Sequence, residues 1–377
     1  MTVTRAPEQG RIWSGQAALL VFAVVLPPAI LYLPSLNAVA VRAGIDGRLA
    51  MLLATVVAMV LVGISWRLAL LHPGRTLADI LASEWGWVGR LLVGVLALNV
   101  VVHGAFQSQA FAAALSITIL PRTPVLVVVF FQLAAAVFAA RKGIEIIARI
   151  NQVATPLMLF GLVSLLFLTW RDVQIARLPP ALTTSLVDVL RGAVACVAWF
   201  VELVILAWVA FPFVHDLNRV ARPFFICMGV SGVLLAITLW VSQAVLGIEL
   251  SRQSIVLVEK VAREIQPIEF FSRIEAIYLA AWQPAAVVEF AILVYAAALM
   301  AAQLFGLRDY RNLVLPLGLW IGLAGSFLTP GIPEVMRFGT QVVPVYALAS
   351  GSAIPLLLLL SSLRHRMEGD SGSGRGG

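Results

Sequence analysis

The chain has 377 residues, of which 61% are hydrophobic and only 12% charged, with a mean hydropathy of +0.98. A soluble domain carries about 25% charged residues to solvate its surface, so that class is excluded and a polytopic membrane protein is expected. The formal net charge of +7 does not point to nucleic acid, because the basic residues fall between apolar runs, where anionic lipid headgroups are the natural partner.

The N-terminal stretch MTVTRAPEQGRIW is polar and has no small-residue cleavage site behind a short apolar core, so no cleaved signal peptide is expected. Residues 1–14 read as a cytoplasmic lead, residues 15–363 as one transmembrane domain and 364–377, rich in Gly and Ser, as a disordered cytoplasmic tail. Ten apolar spans follow the lead, most of them near or above the roughly 20 residues that cross a bilayer core. The first, Gln16 to Leu36, contains the prolines Pro27, Pro28 and Pro34. Proline removes a backbone donor and frees a carbonyl, which lipid cannot satisfy, so the segment is expected to be interrupted at Pro27 and Pro28.

The next spans are Leu49 to Leu71, Trp87 to Leu120, Pro124 to Ala140 and Ile146 to Trp170. The third carries Asn99, His103 and Gln107 at four-residue spacing, which stacks them on one helix face. A polar stripe in lipid points inward, toward partners, water or a solute path, although a buried histidine also serves as a satisfied core residue. The sixth span, Ser185 to Val214, holds Glu202 in mid-run and Pro212 near its end. A carboxylate at mid-membrane costs about 3 kcal/mol or more to insert, so Glu202 faces the bundle interior, either as a ligand or proton site or paired with a neighbouring helix.

The seventh span, Pro223 to Leu250, is followed by SIVLVEKVAREIQ, which mixes apolar and charged residues at helical spacing. This suits an amphipathic helix over one face, either a lid or a solvated loop helix. The eighth run, Ile268 to Leu307, would make about 60 Å of helix at 1.5 Å per residue, so its charged start, IEFFSRIE, must project beyond the hydrocarbon. Glu289 lies at its middle, as a charged or a protonated carboxylate. Leu313 to Leu328 and Val342 to Leu363 complete the set. Most Lys and Arg residues fall on the side of the N-terminus, which favours both termini in the cytoplasm.

Ten spans divide into two fives of opposite orientation, the arithmetic of an inverted repeat. Cys196 and Cys227 lie in apolar runs and imply no disulfide framework. No His, Cys and carboxylate combination has metal-ligand spacing, so no metal or other cofactor is expected. No nucleophile and base share a recognisable motif, so an enzyme is not expected.

In order, ILYLPS, HPGRTLADI, AARKGIEIIARI, AWFVELV, FFSRIEAIYLAAW and YAAALMAAQLFGLRDYRNLVLPLG resemble the endospore germination permease family. These are the B subunits of nutrient germinant receptors, in the amino acid/polyamine/organocation transporter superfamily. The resemblance extends from about residue 14 to residue 345, with ARKGIE and LRDYRNLVLPLG its most specific signatures. It implies an all-α, five-plus-five inverted-repeat fold similar to that of amino-acid transporters, with a ligand held midway between broken first and sixth helices. It also implies sensing of an amino acid or similar nutrient, a membrane-embedded A subunit and a C lipoprotein subunit as partners, and a location in the cell or inner spore membrane. A proton- or cation-coupled amino-acid or amine transporter is the alternative.

The ligand-binding candidates are Pro27, Pro28, Ala29, Ile30, His103, Gln107, Trp199, Phe200, Glu202 and Glu289. Relatives resemble Gly-x-Gly-Ile-Leu where this chain has Pro27, Pro28 and Ala29, so the amides of Ala29 and Ile30 are the expected donors; a kink without a ligand is the other reading. They resemble Phe-Gly-Gly-Phe-Glu where this chain has AWFVE, so Trp199 and Phe200 would narrow the pocket. Relatives look basic at the position of Glu289, which implies a reversed local charge.

Overall fold

The computed structural model describes residues 10–34, 36–180, 182–264 and 274–373. Its helices in chain order are α1 Ser14–Ile30, α2 Asn37–Ala43, α3 Gly47–Leu71, α4 Leu77–Thr118, α5 Val125–Lys142, α6 Ile144–Thr169, α7 Leu186–Ala210 and α8 Leu217–Leu246. There follow α9 Ile248–Gln253, α10 Leu257–Glu264, α11 Ile274–Leu304, α12 Arg311–Leu328, α13 Ile332–Arg337, α14 Val343–Leu348 and α15 Ile354–Ser373. Among the described residues, nine helical stretches are long and apolar enough to cross a membrane, one fewer than the ten expected. The difference lies at the start, where the first expected span is divided. α1 has 17 residues, about 25 Å at 1.5 Å per residue, and α2 runs on into the stretch that contains α3.

Packing between helices repeats in pairs. α1 lies against α8 as α7 lies against α3; α4 lies against α12 as α11 lies against α5; and α4 meets α11 while α3 meets α8. When α1, α3, α4 and α5 are matched with α7, α8, α11 and α12, each of these pairs maps onto its counterpart or onto itself. This is the inverted repeat expected from the sequence. The two interior helices, α7 and α11, have 94% and 89% of their apolar windows buried, against 28% for α12 on the outside.

Local chemistry sets several element ends. Thr76 and Asp79 form a capping box at the start of α4: Asp79 N–H donates to Thr76 Oγ1 at 3.2 Å, and Thr76 N–H donates to Asp79 Oδ2 at 3.2 Å. Ten residues on, Gly86 takes φ 56° and ψ −122° and bends α4 sharply, a conformation that favours glycine. The helix from Trp87 onward is thus set off from the turns before it. Asp216 caps α8, accepting from the N–H groups of Asn218 and Arg219. Before α1, Ile12 pairs with the strand-like turn behind α7: its N–H donates to Phe213 O and its carbonyl accepts from His215 N–H, both at 3.0 Å.

Two expectations about breaks change. The first helix is broken, but not at Pro27 and Pro28. Both lie inside α1, which continues to Ile30, and the chain leaves the helix at Leu31 to Pro34 before α2 begins. A proline forfeits only the bond to the carbonyl four residues back, so two of them near a helix end weaken the ladder without ending it. The sixth helix is not broken at all: α7 is continuous to Ala210 and closes in a short 3₁₀ turn, Phe211–Phe213, that contains Pro212.

The amphipathic helix after the seventh span is present as α10. Leu257, Val258, Val261 and Ala262 are buried, while Arg263 turns outward to donate to Thr118 O at 2.7 Å and to Glu259. The charged start of the eighth span, Ile268 to Arg273, lies outside the described residues.

Candidate functional site

Four of the ten candidate residues meet at the centre of the bundle. His103 and Gln107, one turn apart on α4, both reach Glu202 on α7: His103 Nε2 lies 2.7 Å from Glu202 Oε1, and Gln107 Nε2 donates to the same oxygen at 2.5 Å. Gln107 Nε2 also reaches Glu289 Oε1 on α11 at 3.4 Å. Thus one amide group spans the two carboxylates. Glu202 is 1% exposed and Glu289 0%.

Two tyrosines that the sequence does not single out complete the cluster. Tyr32, in the link between α1 and α2, donates its O–H to Glu289 Oε2 at 2.6 Å. Tyr346, on α14, lies with its hydroxyl 2.9 Å from His103 Nδ1. Both imidazole nitrogens are thereby engaged, one by a hydroxyl and one by a carboxylate. The result is a continuous chain of contacts, Tyr346, His103, Glu202, Gln107, Glu289, Tyr32, which joins the α1–α2 link to α4, α7, α11 and α14.

The elements that bring these groups together are irregular where they need to be. α14 is flanked by two π-helical turns, Phe338–Val342 and Ala349–Ala353. Such turns rotate the helix face, and here they frame the segment that offers Tyr346. On the other side, the ring of Tyr32 packs against Phe111 and Phe290, with centroids 5.0 Å and 5.9 Å away. Rigid aromatic neighbours fix the tyrosine, so its hydroxyl reaches Glu289 without a long flexible side chain to order.

The remaining candidates take other places. Ala29 and Ile30 fall within α1, where backbone N–H groups are committed to carbonyls one turn back, and the N–H of Leu31 bonds to Pro27 O at 2.8 Å. They are not the free donors that the sequence suggests. Trp199 and Phe200 are buried, at 6% and 1% exposure, but neither takes part in the hydrogen-bonded cluster. Three residues before Glu202, Trp199 shares its side of α7, whereas Phe200, two residues before, lies on roughly the opposite side. Asn99, the first member of the α4 stripe, is half-buried and outside the cluster.

Among the described residues, no group of three or more His, Cys, Asp or Glu is placed to hold a metal ion. The charge balance of the centre is nonetheless unusual. Two carboxylates meet one imidazole, and among the described residues no Lys or Arg is buried. Two carboxylates with so little positive charge around them suit a cationic partner in the low-dielectric interior.

Comparison with known proteins fits this architecture. Three solved transporter structures superpose on nearly the whole chain. A Na⁺-coupled sialic acid symporter in a substrate-bound outward-open state gives a TM-score of 0.62 at 11% identity, covering 94% of this chain and 89% of that one. Mhp1, a nucleobase-cation-symport-1 family transporter in a closed conformation with bromovinylhydantoin bound, gives 0.62 at 13% identity, covering 92% and 76%. MhsT in complex with L-phenylalanine gives 0.65 at 16% identity, covering 94% and 96%. At these identities the likeness concerns the fold.

Sequence relatives carry the family. Spore germination protein KB of Bacillus subtilis (strain 168) is 25% identical over 228 residues, 59% of this chain and 61% of that protein's length. Spore germination protein YndE of the same organism is 24% identical over 366 residues, 95% of this chain and 98% of that protein. The sequence profile of the family described as "Spore germination protein" matches residues 11–327. The chain belongs to the spore germination protein family and is a multi-pass integral membrane protein built on an inverted-repeat transporter fold.

Proposed function

We propose that this protein is the nutrient-sensing subunit of a spore germination receptor, binding a small amino acid or similar nutrient at the central polar cluster. The observation that carries this reading is the buried chain from Tyr346 to Tyr32, which sits beside the break between α1 and α2 and ties together five separate parts of the bundle. A ligand that competes for those bonds changes the relative stability of the arrangements these elements can adopt, and a conformational equilibrium shifts only through such differential contacts. In this reading the shift passes to an A subunit and a C lipoprotein subunit in the inner spore membrane, with both termini of this chain on the cytoplasmic side, and α10 acts as a lid over one face.

The second reading, a proton- or cation-coupled transporter of an amino acid or amine, is favoured by the pairing of Glu202 and Glu289 at mid-bundle. A ligand screen by thermal shift on the purified protein, followed by uptake of each hit into liposomes, separates the two. Binding without concentrative uptake supports sensing. Concentrative uptake that disappears in Glu289→Gln supports transport. If no amino acid, amine, sugar or nucleoside changes the melting temperature, the central ligand site is refuted.

A further inference from the structure

The outer face of the bundle carries a feature that the central cluster does not use. α5 and α12 run antiparallel, with Val137 beside Gly318 and Leu133 beside Gly322, and a groove of about 380 Å³ lies between them, apolar throughout its lining. A Cβ at Gly318 would collide with the Val137 side chain, and one at Gly322 would lie 2.9 Å from Leu133 Cδ1. The two glycines therefore let the helices close up, and they form the floor. The rims are longer side chains that the bundle leaves uncovered: Leu126, Phe130, Leu315, Leu319 and Leu323 are between 48% and 59% exposed.

One end of this groove is basic. α5 closes on Arg141 and Lys142, and α12 opens on Arg311 with Arg308 just before it. These two ends are adjacent, because the Tyr310 O–H donates to Ala140 O at 3.4 Å. Arg141 lies one turn beyond Val137 and Arg311 one turn before Leu315, so the cations stand about 6 Å past the apolar lining. Lys142 holds its ammonium group 5.7 Å from the centre of the exposed Phe138 ring. Asp309 accepts from the backbone N–H of Arg311, and Glu145 is paired with Arg149. No ion pair among the described residues engages Arg141, Lys142, Arg308 or Arg311.

Shape and charge together favour a lipid over a helix. Transmembrane helices associate where small residues let their backbones approach, but Gly318 and Gly322 are buried against α5 and the outward rims are long side chains. A second helix, about 10–12 Å across, would rest on those rims without entering the groove, and its apolar surface would leave the basic end unpaired. An acyl chain is thin enough to enter. Since hydrocarbon gains little by leaving other lipid for a Leu-lined wall, selection must come from the headgroup.

We infer that the groove between α5 and α12 is a binding site for one anionic phospholipid, an acyl chain lying along the Gly318 and Gly322 floor and the phosphate against Arg141, Lys142, Arg308 and Arg311.

The test titrates the full-length protein, delipidated in detergent, with dioleoylphosphatidylglycerol or dioleoylphosphatidylcholine and counts bound lipid by native mass spectrometry. One copy of the anionic lipid is expected to bind at a half-saturating concentration at least about tenfold below that of the zwitterionic one, because each Lys or Arg near an anionic headgroup contributes on the order of fivefold. Combining Arg141→Gln with Lys142→Gln should remove most of that preference. Ala134→Phe, at an exposed position that lines the groove, should abolish the single tight copy with the basic end intact, whereas Ala135→Phe, exposed but outside the lining, should leave it unchanged. Glycerol 1-phosphate, which has no acyl chain, should not compete. Equal affinity for the two lipids in the unaltered protein would overturn the inference. So would a preference that survives in Ala134→Phe, which would reduce it to general surface attraction, or equal loss in both alanine variants, which would remove the groove from the account. A dimer of this chain that Ala134→Phe abolishes and lipid leaves unaffected would assign the groove to a helix instead.

Discussion

His103 on α4 and Glu202 on α7 are joined by a 2.7 Å contact between Nε2 and Oε1, with each side chain only 1% exposed. Truncating one member of such a buried pair removes a hydrogen bond and leaves a buried polar atom of the other unsatisfied, at a cost of about 1–3 kcal/mol. Glu202→Ala and His103→Ala are each expected to lower the melting temperature by several degrees. Residues in direct contact also couple, by about 0.5–3 kcal/mol. The double variant should therefore be more stable than the sum of the two losses requires. Strictly additive losses in thermal unfolding would show that the contact does not hold α4 to α7.

At the other end of the cluster, Tyr32 donates to Glu289 Oε2 at 2.6 Å across 257 positions of sequence. Tyr32→Phe keeps the ring among Phe111 and Phe290 but takes a donor from a buried carboxylate, a loss of about 1–3 kcal/mol. Replacing that carboxylate by the uncharged carboxamide reduces the demand for donors. Tyr32→Phe combined with Glu289→Gln should thus melt above Tyr32→Phe alone, as measured at neutral pH. If the double variant is no better, the hydroxyl is not there to satisfy Glu289.

Much of this centre is legible in the sequence because of what a membrane interior costs. Glu202 and Glu289 stand out as mid-span carboxylates, and the four-residue spacing places His103 and Gln107 on one face of α4. Tyr32 and Tyr346 are not legible in the same way. A tyrosine inside an apolar run reads as an apolar ring until its partner is known, and these partners lie hundreds of residues away. Nor do the π-helical turns around Tyr346 leave a composition signal. The continuity of α7 was local information: between Ala193 and Phe211 there is neither glycine nor proline, and the expectation of a break there came from resemblance rather than from these residues.

Asp46 illustrates a tether outside the central cluster. It is 1% exposed, and its two carboxylate oxygens accept from Leu182 N–H at 2.8 Å and Thr184 N–H at 3.0 Å. These bonds attach the segment that leads into α7 to the turn before α3. Asp46→Ala should increase hydrogen exchange at both amides by tenfold or more, since a bond to a charged acceptor contributes about 1.5–3 kcal/mol. Asp46→Asn keeps one good acceptor and should protect one amide better than the other. Unchanged exchange at 182 and 184 in the alanine variant would mean that the segment is held by other contacts.

Three glycines give a graded test of how closely the elements around the break are packed. A Cβ at Gly15 would meet nothing within 4 Å, so Gly15→Ala is expected to be neutral or to add up to about 1 kcal/mol through helix propensity. A Cβ at Gly325 would lie 2.5 Å from the carbonyl oxygen of Ala105, a backbone atom that a rotamer change cannot move, so Gly325→Ala should force α12 away from α4 and lower the melting temperature. At Gly339, in the first π-helical turn, the same atom would fall 2.2 Å from Pro34 Cδ and 2.8 Å from Phe106 Cζ. Pro34 is a rigid ring two residues from Tyr32. Gly339→Ala should therefore displace the link that carries the Tyr32 hydroxyl and weaken ligand binding more than its effect on stability predicts, whereas Gly325→Ala should affect mainly stability. Equal binding by the Gly339 and Gly15 variants would mean that the link yields without moving Tyr32 from Glu289, and that the π-helical turn does not set the position of the break.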